Sequence, residues 1–191
     1  MQSRILLKTA IVLLVSLLSA CGDAARPTEP ISVSRAVGRP AERLVIMRDA
    51  CDPESFGAAG AICVRGNGIT FDRFLELLRK HQTIEAWGFS PGRLEANEGQ
   101  TLLALNQGGE VHTFTEVAAF GGGVVGLLNE LSNNPTPAPE CLNLPPGAFI
   151  APGAHQKAEV GAPGTKHYQC CIHPWMRLDL QALRDGGPAQ Q

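Results

Sequence analysis

"IEAWGFSPGRLEANEGQTLLALNQGGEVHTFTEV", residues 84–117, sets the texture of the chain. Four short runs of strand type, IEAWGFS, RLEA, TLLALN and EVHTFT, are separated by PG, NEG and NQGG, each a turn signal. Short strands at this spacing point to a mainly β fold, a sandwich or barrel. The same texture resumes at HQKAEV (155–160) and TKHYQCC (165–171), on either side of GAPG. Before these runs FGGGVVGLLNELSNNPTPAPEC (120–141) is a long insertion, with a helical turn expected at VVGLLNEL. Upstream, RLVIM (43–47) reads as a first strand. CDPESFGAAGAIC (51–63) reads as a loop with a cysteine at each end, suited to a disulfide staple. The one strong helix signal is TFDRFLELLRKH (70–81), where Phe71, Phe74, Leu75 and Leu78 recur at helical spacing behind a Thr70 N-cap. That apolar face is expected to pack on a sheet.

The N-terminus reads as an export signal: Arg4 and Lys8 precede the apolar run TAIVLLVSLL, which ends in LSAC. The apolar run is too short for a membrane span. Basic flank, apolar run and a cysteine after small residues resemble a bacterial lipoprotein signal, which implies cleavage before Cys21 and lipid attachment there. An ordinary signal peptide with a cysteine at its cut site is the plainer alternative. The protein is therefore expected on the periplasmic face of a bacterial membrane, and Gly22 after the cysteine favours the outer membrane. Residues 22–42, rich in Pro, Ala, Ser and Arg, look like a tether. The expected division is a signal segment (1–20), a tether (21–42), a strand plus loop–helix addition (43–83), a β core (84–182) and a disordered tail (183–191).

A net charge of −2 with no basic run argues against a nucleic-acid partner. The chain has six cysteines, five histidines and three methionines, yet HYQCCIHPWMR (167–177) gathers Cys170, Cys171, His173 and Met176. Cys170-x-x-His173-x-x-Met176 offers thiolate, imidazole and thioether from one loop after a strand. One more imidazole would complete a His₂Cys set with a weak axial Met, the ligands of a type 1 blue-copper centre. His112, in the EVHTF run, supplies it. Soft sulfur suits Cu(I) and imidazole suits Cu(II) as well, so one site can serve both oxidation states. Reserving Cys21 for lipid and one of the vicinal cysteines for metal leaves four, with three possible pairings. The local pairing Cys51–Cys63 is the simplest and leaves Cys141 with Cys171. Successive strand side chains point to opposite faces, so Cys171 should face away from the metal. Ligation by Cys171 in place of Cys170 would shorten the spacing to His173.

YQCCIHPWM resembles the C-terminal ligand loop of the cupredoxins, in the short C-x-x-H-x-x-M form of amicyanin-like proteins. EVHTF, and the strand–turn–strand run leading to it from Ala86, are similar to the upstream ligand segment of plastocyanin- and azurin-like domains. The likeness covers about residues 84 to 180. It implies a Greek-key β-sandwich, to which the helix read near 70–81 is an inserted addition. It also implies one copper per chain held by His112, Cys170, His173 and axial Met176, and single-electron transfer, not catalysis. It further implies that the ring edge of His173 lies near the surface, inside an apolar rim of Pro174, Trp175 and the FGGG of 120–123. Trp175 has packing as its other reading. The expected partners are redox proteins, a c-type cytochrome or a periplasmic oxidoreductase. Thr113 stands where many cupredoxins have Asn, though its hydroxyl can still tie the two ligand segments together.

Zinc does not take Met among its usual ligands. The vicinal pair lacks the C-x-x-C spacing of thiol–disulfide enzymes, and G-x-S-x-G and H-E-x-x-H are absent. His81, His155 and His167 have no ligand context. The rival reading is a copper-handling protein that delivers the ion instead of cycling it.

Overall fold

The structure is a computed structural model and describes residues 42–65 and 68–184; Cys21, the signal segment, most of the tether and most of the tail lie outside the described residues. Among the described residues eight strands form two sheets. β1 (Glu42–Arg48), β2 (Gly88–Ser90), β4 (Thr101–Asn106) and β6 (His155–Glu159) make the first, in the order β2-β1-β4-β6. β3 (Arg93–Asn97), β5 (Thr115–Val117), β7 (Gly164–Gln169) and β8 (Arg177–Leu183) make the second, in the order β3-β8-β7-β5. β1 runs parallel to β4, with Glu42 opposite Thr101, and β3 runs parallel to β8, with Arg93 opposite Asp179. From β2 to β7 every connection changes sheet.

Period-two alternation builds the core between the sheets. Leu102 and Ala104 of β4 point inward with Val45 and Met47 of β1. Facing them are Leu94 and Ala96 of β3, Tyr168 of β7, and Leu178, Leu180 and Ala182 of β8, all in one cluster. This is the mainly β sandwich with an inserted helix that the sequence implies.

Three details differ from the sequence reading. The run EVHTFT keeps ladder pairing only at β5, because His112 pairs with Ile150 as an isolated bridge. RLDLQAL forms β8, the strand between β3 and β7, where its Leu178/Leu180/Ala182 alternation is buried. The loop read at 51–63 contains a short helix, α1 (Pro53–Ala58). Its start is set by Asp52, which accepts from the Ser55 amide at 3.0 Å, and by Pro53, whose missing N–H costs nothing in a first turn.

The expected helix is α2 (Phe71–His81), capped by Thr70 and ended by Gln82 in the left-handed region. Phe74 and Leu78 are buried, but the face packs mainly on aromatic side chains, not on a sheet. Phe74 lies 5.5 Å from Phe56, 5.0 Å from Trp87 and 5.9 Å from Trp175 between ring centroids. The insertion carries α3 (Gly126–Leu131) and ends in a 3-10 turn, Pro139–Asn143, which a second, Pro146–Ala148, follows. Among the described residues no helix is long and apolar enough to cross a membrane.

Disulfides join Cys51 to Cys63 and Cys141 to Cys171. The second ties the end of β7 to the insertion 30 residues away in sequence. Replacing Cys141 and Cys171 together by Ser should cost about 2–5 kcal/mol. Urea unfolding checks this, and an unchanged midpoint would mean that the insertion is held without the bond.

Candidate metal centre

β7 ends at Gln169 and β8 begins opposite it at Arg177, so CCIHPWM is a hairpin connection. Two backbone bonds fold it tightly: the Cys170 amide donates to the Met176 carbonyl at 3.0 Å, and the Met176 amide to the His173 carbonyl at 2.9 Å. His112 is fixed from the other side. It exchanges both backbone bonds with Ile150, at 3.1 and 2.8 Å. The preceding turn is built on buried Asn106, whose amide donates to the Glu110 and Ile150 carbonyls and whose oxygen accepts from the Gly108 amide.

These segments, 58 residues apart, bring three donors together. Cys170 Sγ lies 3.8 Å from His112 Nδ1 and 3.7 Å from His173 Nδ1. Cys170, His112 and Met176 are fully buried, and His173 is 2% exposed. A first-row dication with metal–nitrogen and metal–sulfur lengths of about 2.0 and 2.3 Å would separate trigonal donors by roughly 3.7 Å. The donor set therefore fits such an ion in both spacing and chemistry. Cys170 is the free cysteine among the described residues.

Thr113 links the two ligand segments twice. Its hydroxyl accepts from the Cys171 amide at 2.7 Å, and its own amide points at Cys170 Sγ at 3.4 Å. Cys171 faces away, bonded to Cys141, and its carbonyl accepts from the Val124 amide at 2.7 Å. That approach requires Gly123, where a Cβ would fall on the Cys171 carbonyl.

Two acidic residues that the sequence reading did not single out complete the site. Asp49, just past β1, accepts from the amides of Gly109 and Glu110 and contacts His112 Nε2 at 2.8 Å. Its side chain is 1% exposed. Glu110 lies 3.6 Å from His173 Nε2 and accepts from the Trp87 indole at 2.6 Å. Asp49 is 63 residues from its imidazole, so no local spacing announces it. The paired glycines 108 and 109 were the available signal: a Cβ on Gly108 would fall on the Asp49 carboxylate. Asp49, Cys51 and Glu110 also gather their ligand atoms within 4.8 Å, but the Cys51 sulfur is committed to its disulfide.

The ring of His173 is covered, unlike the exposed edge that the resemblance implies. Glu110 lies against its outer nitrogen, and Trp175 packs on it at 5.5 Å between centroids. Trp175 in turn meets Phe74 of α2, so the 51–83 addition extends aromatic packing over this end of the sandwich. His81, His155 and His167 lie away from the centre, His167 pairing with Asp179 at 2.8 Å.

Charge follows the geometry. Burial pushes the Cys170 thiol up, but His112 and His173 outweigh it and hold it well below the ordinary thiol range. Burial works against the charged ring of His112, yet Asp49 and Cys170 raise it to about 9. Burial pushes the Asp49 carboxyl up, while His112 and the two amides bring it down to about 2. Burial raises Glu110 above the usual carboxylate range.

No family model matches the sequence, and no curated protein matches it. Among solved structures the chain is similar to a purple cupredoxin from Nitrosopumilus maritimus, at 14% identity over 73% of this chain and 98% of that one, TM-score 0.42. Oxidised plastocyanin from Dryopteris crassirhizoma follows at 15% identity, covering 74% of this chain and 100% of that one, TM-score 0.38. A mutant amicyanin in its Cu(I) form shares 16% identity over 50% of this chain and 73% of that one, TM-score 0.35. These likenesses are distant, and the fold rests on the strand order and register described above.

The shifts give the metal-free protein a defined acid response. Asp49, at about 2 when folded against an ordinary 3.8, contributes stability above pH 3.8 that is lost as pH falls toward 2. Unfolding midpoints measured between pH 5 and 2 should fall, and Asp49→Asn should show a shallower fall over the same range. Parallel acid limbs in the two proteins would refute the buried pairing.

Proposed function

We propose that this chain is an exported, lipid-anchored type 1 copper protein that carries single electrons between redox partners and is not an enzyme. The observation that carries the reading is the buried Cys170 sulfur facing two imidazole Nδ1 atoms at 3.7 and 3.8 Å. When bound, copper supplies one electron accepted and returned between Cu(I) and Cu(II). His112, Cys170 and His173 would hold the ion, with Met176, buried in the same hairpin, as a fourth ligand. The chain's part is to keep this donor set in one arrangement for both oxidation states. The hairpin bonds, the Thr113 bridge and the Cys141–Cys171 disulfide resist rearrangement, which keeps the cost of each transfer low.

Burial of the four side chains favours a carrier over a delivery protein, whose ligands must open to hand over the ion. Trp175, half-buried against His173, is the outward aromatic contact at that imidazole. Partners are redox proteins such as a c-type cytochrome or a periplasmic oxidoreductase. Cys21 attaches the chain to the periplasmic face of a bacterial membrane, with the outer membrane favoured.

Cu(II)-loaded protein should be intensely blue or green through thiolate-to-copper charge transfer and bleach reversibly with mild reductant. Cys170→Ser should abolish the colour, Cys171→Ser should retain it, and Met176→Leu should keep copper and raise the reduction potential. Optical titration with redox control decides; a colourless protein that exchanges Cu(I) rapidly would establish delivery instead. Cys21→Ala should release the protein from the membrane fraction, and retention there would dispose of the lipid anchor.

A further inference from the structure

We propose that Asp49 is a positioning residue of this centre: its carboxylate holds the His112 proton on Nε2, leaves Nδ1 for the ion, and favours the divalent, oxidised ion over the reduced one. The inference rests on the copper reading above and assigns a role to a residue outside the ligand set.

The geometry is specific. Asp49 Oδ2 lies 2.8 Å from His112 Nε2, while Nδ1 of the same ring faces the Cys170 sulfur. A ring that donates at one nitrogen must bind metal through the other, so the contact fixes tautomer and orientation together. A neutral backbone carbonyl could do that much. A carboxylate adds a fixed negative charge where side-chain exposure is only 1% and screening is weak. That charge interacts more strongly with an ion of charge two than with one of charge one.

The chain stabilises this anion deliberately. The amides of Gly109 and Glu110 donate to it at 2.9 and 3.0 Å, and Gly108 leaves room for it. The Cys51–Cys63 disulfide and the Cys51–Ile69 bridge hold the backbone two residues on. The second imidazole has no equivalent. Glu110 stands 3.6 Å from His173 Nε2, beyond hydrogen-bond reach, and the Trp87 indole already occupies that oxygen. The two histidines therefore differ, His112 being anchored by an anion and His173 only flanked by one.

The test is Asp49→Asn, which keeps size and removes charge. Competition titrations with Cu(II) and Cu(I) should show Cu(II) affinity falling about 10–100-fold and Cu(I) affinity falling less. The reduction potential then rises by about 59 mV for each tenfold difference between the two losses. Equal losses for the two ions, or an unchanged or lower potential, would overturn the proposal; a merely structural role predicts equal losses. Should the variant not fold, nitrogen-15 NMR of the wild-type metal-free protein decides: the His112 Nε2 proton must be present and protected from exchange, and rapid exchange there sinks the assignment. That arm needs no copper. A wild type that binds no copper but keeps the protected proton refutes the proposed function while leaving the Asp49–His112 contact standing.

Discussion

A thiolate at zero exposure is the constraint around which the rest is arranged. An unpaired buried anion would cost several kcal/mol, or the sulfur would stay protonated. The chain compensates with the rings of His112 and His173 and with the Thr113 amide pointing at the sulfur. Behind those rings stand the carboxyl groups of Asp49 and Glu110. The donors stand in place without an ion, so binding a cation would not have to order the site from scratch.

The same constraint gives the 51–83 addition a purpose that its sequence does not display. Asp49 has to remain buried beside His112, and it sits on the segment that leaves β1 for the addition. That segment is fixed by the Cys51–Cys63 disulfide and by Ile69, whose carbonyl accepts from the Asp52 amide and whose amide donates to the Ala50 carbonyl. Farther on, α2 places Phe74 against Trp87 and Trp175. Trp87 donates to Glu110, and Trp175 packs on His173. The addition thus supports the carboxylates from outside, and it also closes the ring edge that the ligand-loop resemblance implies to be open.

What the sequence made legible follows from where each signal is local. The ligand hairpin places rare side chains close together, so Cys170, His173 and Met176 stand out without any fold. The helix over 70–81 shows its period within one window. The strands between clear turn signals are equally readable. The misses depend on distance or on short elements. Asp49 acts across 63 residues and looks like any acidic residue after a strand. β8 carries a plain alternation in RLDLQAL, but it follows the ligand loop with no turn signal to set it apart. α1 is six residues long, and only Asp52 and Pro53 mark it. The covering of His173 depends on two tryptophans from separate segments meeting one helix, which no local window contains.

Sulfur chemistry supplies the last step. In an oxidising compartment a free thiol next to another cysteine is exposed to a competing vicinal disulfide, which would remove the thiolate that the centre needs. The fold separates the two sulfurs by strand alternation, turning Cys171 to the opposite face and bonding it to Cys141. Cys51 and Cys63 consume each other in the same way. Among the described residues this leaves Cys170 as the one thiol, fully buried and without a sulfur partner. The disulfide that braces this strand therefore also protects Cys170: once Cys141 has claimed Cys171, no neighbouring thiol remains to form a disulfide with it. A vicinal pair that looks redundant in the sequence is a division of labour, with one sulfur spent on the disulfide while its neighbour stays a free, buried thiol.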